Sequence, residues 1–560
     1  MTTVLFVRRF LADYGRNPVN LLLIIVVPVV FVVVAAGPMA SFAKLGLFGS
    51  GGSGAAIQTA TAGWAAGFLS AIAMYFQVSG ARGTDRRLVI SGLPAARLVT
   101  ARLAAGLALA VLASAAALAA LAARTGGIAD PGRVAAGTLM FAVIYLAIGA
   151  LAGALVPSPL NGTLLILFVW IVDVFLGPAF GTAGKVVTRV LPTHYVTLWM
   201  TGLQPGHSGV PGSLGWALAW TAGAAAAAWA VVTATSRTAR TRHRRRAGTA
   251  SDQLIAATRA GLLDWGRNRA LWALLAVVPA VFILMTKVTT PARLVRIAVT
   301  EQHRQVIRPV NLAAIHPAVM APIAIASLAA IAGMFMMLDS RAGDERLVLA
   351  GQRPGPLLAA RLSLIALAAM VATAVSLAVT ATVSDVRQWG VYIAANVLVA
   401  ATYALVGVLI GPLLGRVAGV FIAFLIPFVD LGISQSPMLR ATPATWAHFL
   451  PGYGAGQIVM NGILASSFDE TRSLLIALAW LTALATAAAL LYRRITRTPQ
   501  LGARMAGELL TPVVTAEAFG DPPDAALMRP SAAVGSSPPS GSAPGAVHIG
   551  VPPVPLRPGL

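Results

Sequence analysis

Asp85-Arg86-Arg87-Leu88 and Asp344-Glu345-Arg346-Leu347 place acid, base and leucine side by side twice in one chain. An arginine stands ahead of each cluster, Arg82 and Arg341, and a proline follows it, Pro94 and Pro354. Mixed charge beside an apolar side chain makes and breaks no covalent bonds. It exchanges ion pairs with a partner's surface while the leucine fills a groove. Two single carboxylates, Asp173 and Asp430, sit past the middle of long apolar runs. A charge at a span centre costs about 2.5–3.5 kcal/mol on insertion scales. They are expected either to line a translocation path or the interface between two halves of the chain, or to reach the outer headgroup zone or a re-entrant outer segment. The seven histidines are scattered without an HExxH pattern, and cysteine is absent. That argues against a zincin-type centre, a thiol nucleophile and a disulfide framework, so neither catalysis nor a bound metal or cofactor is expected of this chain. No G-x-x-x-x-G-K-[ST] occurs; Gly184-Lys185 is followed by Val186, and GSGGSG at Gly49 reads as a flexible outer loop.

The elements that must position these residues follow from composition. The chain has 560 residues, 58% of them hydrophobic and 11% charged, with a mean hydropathy of +0.80. Its apolar runs approach the roughly 20 residues needed to cross a bilayer core. An all-α integral membrane protein is therefore expected, with spans near 18–38, 57–79, 98–123, 133–155, 161–180 and 213–235, then 268–288, 316–338, 356–382, 388–411, 417–436 and 473–492. The first run reads as an uncleaved span rather than a signal peptide. The net charge of +23 gathers in the segments on one side. That bias puts both termini in the cytoplasm of a plasma-membrane protein and excludes nucleic acid as the partner it serves.

The sequence is written twice. DYGRNPVNLLLIIVVPVV from Asp13 returns as DWGRNRALWALLAVVPAV from Asp264, and TDRRLVISGLPAARLVTARL from Thr84 as GDERLVLAGQRPGPLLAARL from Gly343. Tyr145, Gly149 and Gly153 match Tyr403, Gly407 and Gly411, and Asp173 matches Asp430, at offsets between 251 and 260. Each copy holds six spans, an even number, so two parallel-oriented halves related by an axis along the membrane normal are expected. The first half takes 1–235 and the second 254–496. A basic cytoplasmic linker at 236–253 meets anionic membrane lipids, and a Pro/Gly/Ser-rich cytoplasmic tail at 497–560 is expected to stay disordered.

Ahead of the first span, Val4, Val7, Phe10, Leu11 and Tyr14 share one helical face, while Arg8, Arg9, Asp13 and Arg16 take the other. Asp264, Trp265 and Arg267 repeat the essentials before span seven. Both are expected to be interfacial elbow helices. The outer segment 287–317 carries Lys287, Arg293, Arg296, Arg304 and Arg308, and an interfacial helix is expected there too.

This ordered set resembles the ABC-2 permease family: an elbow with Asp-x-x-Arg-Asn, an acidic-Arg-Leu loop with a following proline, and outer segments LPTHYVTLWMTG at Leu191 and LPGYGAGQIVMNG at Leu450. The resemblance covers both halves and nothing in the tail. It implies short re-entrant outer segments and a permease that exports a hydrophobic or amphipathic substrate. The loop after span two would act as a coupling helix on two copies of a separate ABC ATPase, which binds the ATP and magnesium. Family members usually begin that loop with glutamate, where this chain has Asp85 and Asp344. The competing expectation is a twelve-span secondary transporter of the major facilitator type, yet GARGTDRR spaces glycine and aspartate one residue too widely for that family's loop.

Overall fold

The computed structural model describes residues 2–15, 18–44, 53–180, 186–203, 210–236, 262, 265–266, 268–301, 304–349 and 352–510. Its helices are α1 (Thr2–Gly15), α2 (Pro18–Lys44), α3 (Gly54–Ile90), α4 (Ala95–Thr125), α5 (Pro131–Leu155), α6 (Pro159–Phe175), α7 (His194–Thr201) and α8 (Val210–Thr235). There follow α9 (Arg269–Thr289), strands β1 (Leu294–Glu301) and β2 (Arg304–Asn311), α10 (Leu312–Leu349), α11 (Pro354–Val383), α12 (Trp389–Pro427), α13 (Tyr453–Leu464) and α14 (Thr471–Leu510). Residues 1–503 form one compact unit; of the second unit, 504–560, only the helical residues up to Leu510 are described. Arg16, Asp264, Arg267 and the side chain of Asp13 lie outside the described residues, as do nearly all of the linker and the tail beyond Leu510.

Local chemistry sets several helix ends. Ser53 and Ser158 cap α3 and α6 by accepting from Ala56 N and Asn161 N, Pro159 opens α6, and Asn268 accepts from Leu271 N at 3.2 Å to cap α9. Gly126 ends α4 at φ 69°, where a side chain would be strained.

Among the described residues, ten helical segments are long and apolar enough to cross a membrane, which makes this a multi-pass helical membrane protein. The count differs from the twelve expected for two reasons. Helix α3 carries Gln58, Thr59, Thr61, Ser70 and Gln77, so its composition is too polar, although Ala60 to Tyr75 is buried without a break. The segments 388–411 and 417–436 follow each other without a gap and are counted together as α12, although the non-helical backbone of Gly415 (φ 71°, ψ −166°) makes them two helices meeting at a kink. Only glycine takes that backbone without strain.

The tightest packing joins α3 to α5 and α10 to α12. Gly149 lies against the backbone of Ala71, and Gly407 against that of Ala330. A Cβ at Gly411 would stand 2.9 Å from Met334 O, and one at Gly153 would stand 3.0 Å from Tyr75 O. In lipid, where apolar surface gains nothing by leaving the solvent, such small-residue contacts are what hold helices together.

Two expectations are corrected. The outer segment is an antiparallel hairpin, pairing Arg296 with Pro309 and Val299 with Val306, rather than an interfacial helix. Its Val295, Ile297 and Val299 alternate with polar or small residues at the period of a strand, and Ile297 and Val299 are buried on its inner face. The charged clusters do not form separate short elements either. They are the last turns of α3 and α10, continuous with the apolar parts of those helices.

A methyl group at Gly407 must displace backbone, whereas one at Gly223 on α8 meets nothing within 4 Å. Gly407→Ala should lower stability by about 1–3 kcal/mol through overpacking. Gly223→Ala should be neutral or stabilising by up to about 1 kcal/mol. Thermal unfolding of the two purified variants in detergent checks the contrast.

Candidate functional site

At the ends of α3 and α10, the two clusters fold alike. Arg102 Nη2 donates to Asp85 Oδ1 at 2.5 Å, with the two side chains 8% and 10% exposed. Arg361 donates to Asp344 at 2.7 and 3.4 Å, and Asp344 is almost wholly buried. In both copies the arginine follows the aspartate by 17 residues, across the turn into the next helix. Burial alone would push the Asp85 carboxyl above its usual range, and the Arg102 guanidinium opposes that shift.

Each ion pair reaches one further element, and here the copies differ. Arg102 also donates to Gln77 O at 3.1 Å and lies 4.4 Å from the centre of the Phe10 ring, which brings α1 onto the pair. Asp344 instead accepts from Tyr492 Oη on α14 at 3.1 Å. Arg82 donates from Nε to Gly153 O at 2.7 Å and from Nη2 to Val156 O at 2.9 Å, capping the last carbonyls of α5. Arg341 pairs with Glu345 at 2.9 Å on the surface of its own helix.

Around these buried pairs, Arg87 and Arg346 are exposed, Arg86, Leu88, Glu345 and Leu347 are half-buried, and Ile90 is 74% exposed. Pro94 is the residue at the cap of α4, and Pro354 opens α11. Each site is thus a rigid base, aspartate locked to arginine, under a rim of free-standing cations and apolar side chains. The sequence named all of these residues but missed the roles of Arg102 and Arg361. The signal was their recurrence at matched positions in both copies.

Asp173 and Asp430 are buried inside the protein. Asp173 accepts from Tyr145 Oη at 2.8 Å, Thr193 Oγ1 at 2.6 Å and Thr193 N at 3.3 Å. Asp430 accepts from Tyr403 Oη at 2.6 Å, Gln435 Nε2 at 2.7 Å and Gly452 N at 2.7 Å. Each carboxylate therefore ties the segment entering α7 or α13 back to α5 or α12. The tyrosines stand 28 and 27 residues before their aspartates, and periodicity alone gives no sign of that contact.

Between helices preceding residue 236 and those after 253, the seam is aromatic. Phe31 meets Phe421 at 5.9 Å, Phe68 meets Phe421 at 5.8 Å, Trp170 meets Phe424 at 5.5 Å and Phe76 meets Phe335 at 6.2 Å. Asn161 and Asn268 exchange hydrogen bonds across it at 2.7 and 3.3 Å. Helix α1 leaves Val4, Leu5, Arg8 and Arg9 exposed while Leu11 and Tyr14 pack inward. Among the described residues no group of three or more histidines and carboxylates is placed to hold a metal.

Comparison with protein-family models finds no match for this chain, and neither does a search of the curated proteins. The fold by itself defines a multi-pass helical membrane protein with two like-built charged ends.

Removing one member of a buried ion pair leaves an uncompensated charge, at about 3–5 kcal/mol. Asp85→Asn should therefore destabilise the protein strongly. The double change Asp85→Leu with Arg102→Met should recover most of the loss, because paired apolar groups of similar volume are tolerated there. Melting curves of the three proteins in one detergent give the comparison.

Proposed function

We propose that the chain is the membrane-spanning permease of an ATP-binding-cassette exporter of the ABC-2 type, with both permease halves fused in one polypeptide. Twelve crossings arranged as two parallel sets of six, in the plasma membrane with both termini in the cytoplasm, form that permease. It expels a hydrophobic or amphipathic substrate. It is not itself an enzyme: two copies of a separate ATPase bind and hydrolyse ATP with magnesium beneath it.

The observation that carries this reading is the repeated buried pair, Asp85 with Arg102 and Asp344 with Arg361, at the same 17-residue interval. Each pair stiffens the free end of a long helix whose other end runs deep into the bundle. A push on the rim at Arg86, Arg87, Leu88 and Ile90, or at Glu345, Arg346 and Leu347, would move the helix as a rod. Asp85 and Asp344 are then positioning residues, since both are buried away from a docking partner. Arg87 and Arg346 make the contacts. The aromatic seam lies where a path between the halves would run, and its packing in this arrangement is that of a closed path.

Carboxylates opposite arginines on a partner surface are the chemistry these rims would meet. The double variant Arg87→Glu with Arg346→Glu should insert and melt like the parent, because neither side chain is buried. It should lose roughly tenfold or more of the ATP hydrolysis that the parent evokes, the scale of one close charge contact per rim. The assay uses the full chain in nanodiscs with its proposed ABC-type ATPase partner. Unchanged hydrolysis in the variant removes the coupling assignment. Transport in vesicles that hold only an ion gradient and no ATPase overturns the whole reading.

A further inference from the structure

Phe68 and Ser327 occupy matched positions in the two copies, as do their neighbours Ala71 and Ala330, which receive Gly149 and Gly407. On the first side the Phe68 ring fills the seam, 5.1 Å from Trp170, 5.8 Å from Phe421 and 6.3 Å from Phe424. On the second side the residue is a serine, and a cavity of 30 Å³ remains. It lies between α6, α9, α10 and α12, walled by Ile171, Phe175, Phe282, Phe424 and Phe428, with Ser327 opening into it.

Ser327 is 5% exposed, and its hydroxyl has no hydrogen-bond partner among the described residues. Two other buried helical serines turn back to the carbonyl four residues earlier, Ser70 to Ala66 and Ser376 to Ala372, both at 2.7 Å, while Ser114 on α4 shares with Ser327 the lack of a partner among the described residues. A water would satisfy Ser327 only if it found two to four polar partners, and Ser327 supplies the one polar side chain of the lining. The space is therefore dry. No charged side chain lines it, so an ion there would be stranded. Four phenylalanines, Phe175, Phe282, Phe424 and Phe428, share the wall with aliphatic side chains, and their faces and edges favour another ring.

We propose that this one-sided cavity is a binding site for an uncharged aromatic ligand carrying a single hydrogen-bonding group, of the phenol or benzyl alcohol type, with that group on Ser327 Oγ. At its present size the cavity takes the hydroxyl end of such a ligand. The ring follows when α6 and α9 part, and for that separation the inference rests on the permease reading. The site breaks the twofold likeness of the halves, so one ligand binds per chain.

The probe is a trifluoromethyl-diazirinyl benzyl alcohol, applied to the full chain in vesicles of phosphatidylethanolamine and phosphatidylglycerol. Adducts mapped by mass spectrometry should fall on Phe175, Phe282 and Phe428 and be competed by excess benzyl alcohol. Ser327→Phe, which gives 327 the ring that 68 already carries, should cut this labelling roughly tenfold by filling the space. Ser327→Ala keeps the space and the fold, and should cut it roughly fivefold, the weight of one lost hydrogen bond. Adducts spread evenly over exposed apolar residues such as Met370, or labelling unchanged in both variants, would overturn the site. The vesicles contain no ATPase, so that failure leaves the coupling reading standing, and failure of the coupling assay leaves the labelling pattern as it is.

Discussion

Among the described residues four carboxylates lie buried in a largely apolar bundle, and every one is met by donors from a different helix or segment. An ion taken out of water costs several kcal/mol unless its lone pairs are satisfied, so each carboxylate dictates what must lie beside it. Asp173 and Asp430 call for tyrosines from α5 and α12 and for donors at the start of the re-entering segment. Asp85 and Asp344 call for arginines from the next helix. The close α3–α5 and α10–α12 contacts are set separately, by glycine at 149 and 407 against the backbone of Ala71 and Ala330.

The four clamps divide the labour. Two lie within the span region and fix the entrances to α7 and α13, so the loops there cannot drift from the bundle. Two lie at the helix ends and make α3 and α10 rigid beyond the apolar region. Between them stands the aromatic seam, which Asn161 and Asn268 bridge by exchanging hydrogen bonds.

How much of this was legible in the sequence depends on which force decides each element. The apolar runs fixed ten of the crossings by length and composition alone. Helix α3, where a span at 57–79 was expected, escapes that test because Gln58, Thr59, Thr61, Ser70 and Gln77 lie along it. The hairpin's alternation of Val295, Ile297 and Val299 was visible, but its arginines drew attention to charge before period. The charged clusters were found, yet their exposure was misjudged: Asp85 and Asp344 point inward because Arg102 and Arg361 wait one turn and one helix away. Such contacts span 17 to 28 residues and cross helices, where no local periodicity reports them. Duplication did report them, since each partner recurs beside its aspartate in both copies.

Where the copies disagree is as informative as where they agree. The Asp–Arg and Asp–Tyr pairs recur in both copies, while the other donors differ, Thr193 on Asp173 against Gln435 and Gly452 on Asp430. Arg82 caps α5 while Arg341 stays on its own helix, Arg102 leans on Phe10 while Asp344 leans on Tyr492, and the hairpin occurs after α9 alone. Phe68 faces the seam from one side and Ser327 from the other. Differences at the rims alter which neighbour feels a push on each end; the difference at the seam alters what fits between the halves. On the proposed permease reading, a duplicated frame that has kept these pairs and diverged at its seam would separate two tasks that a symmetric dimer must perform with one set of residues: transmitting force, which needs both sides alike, and receiving a ligand, which needs them unlike.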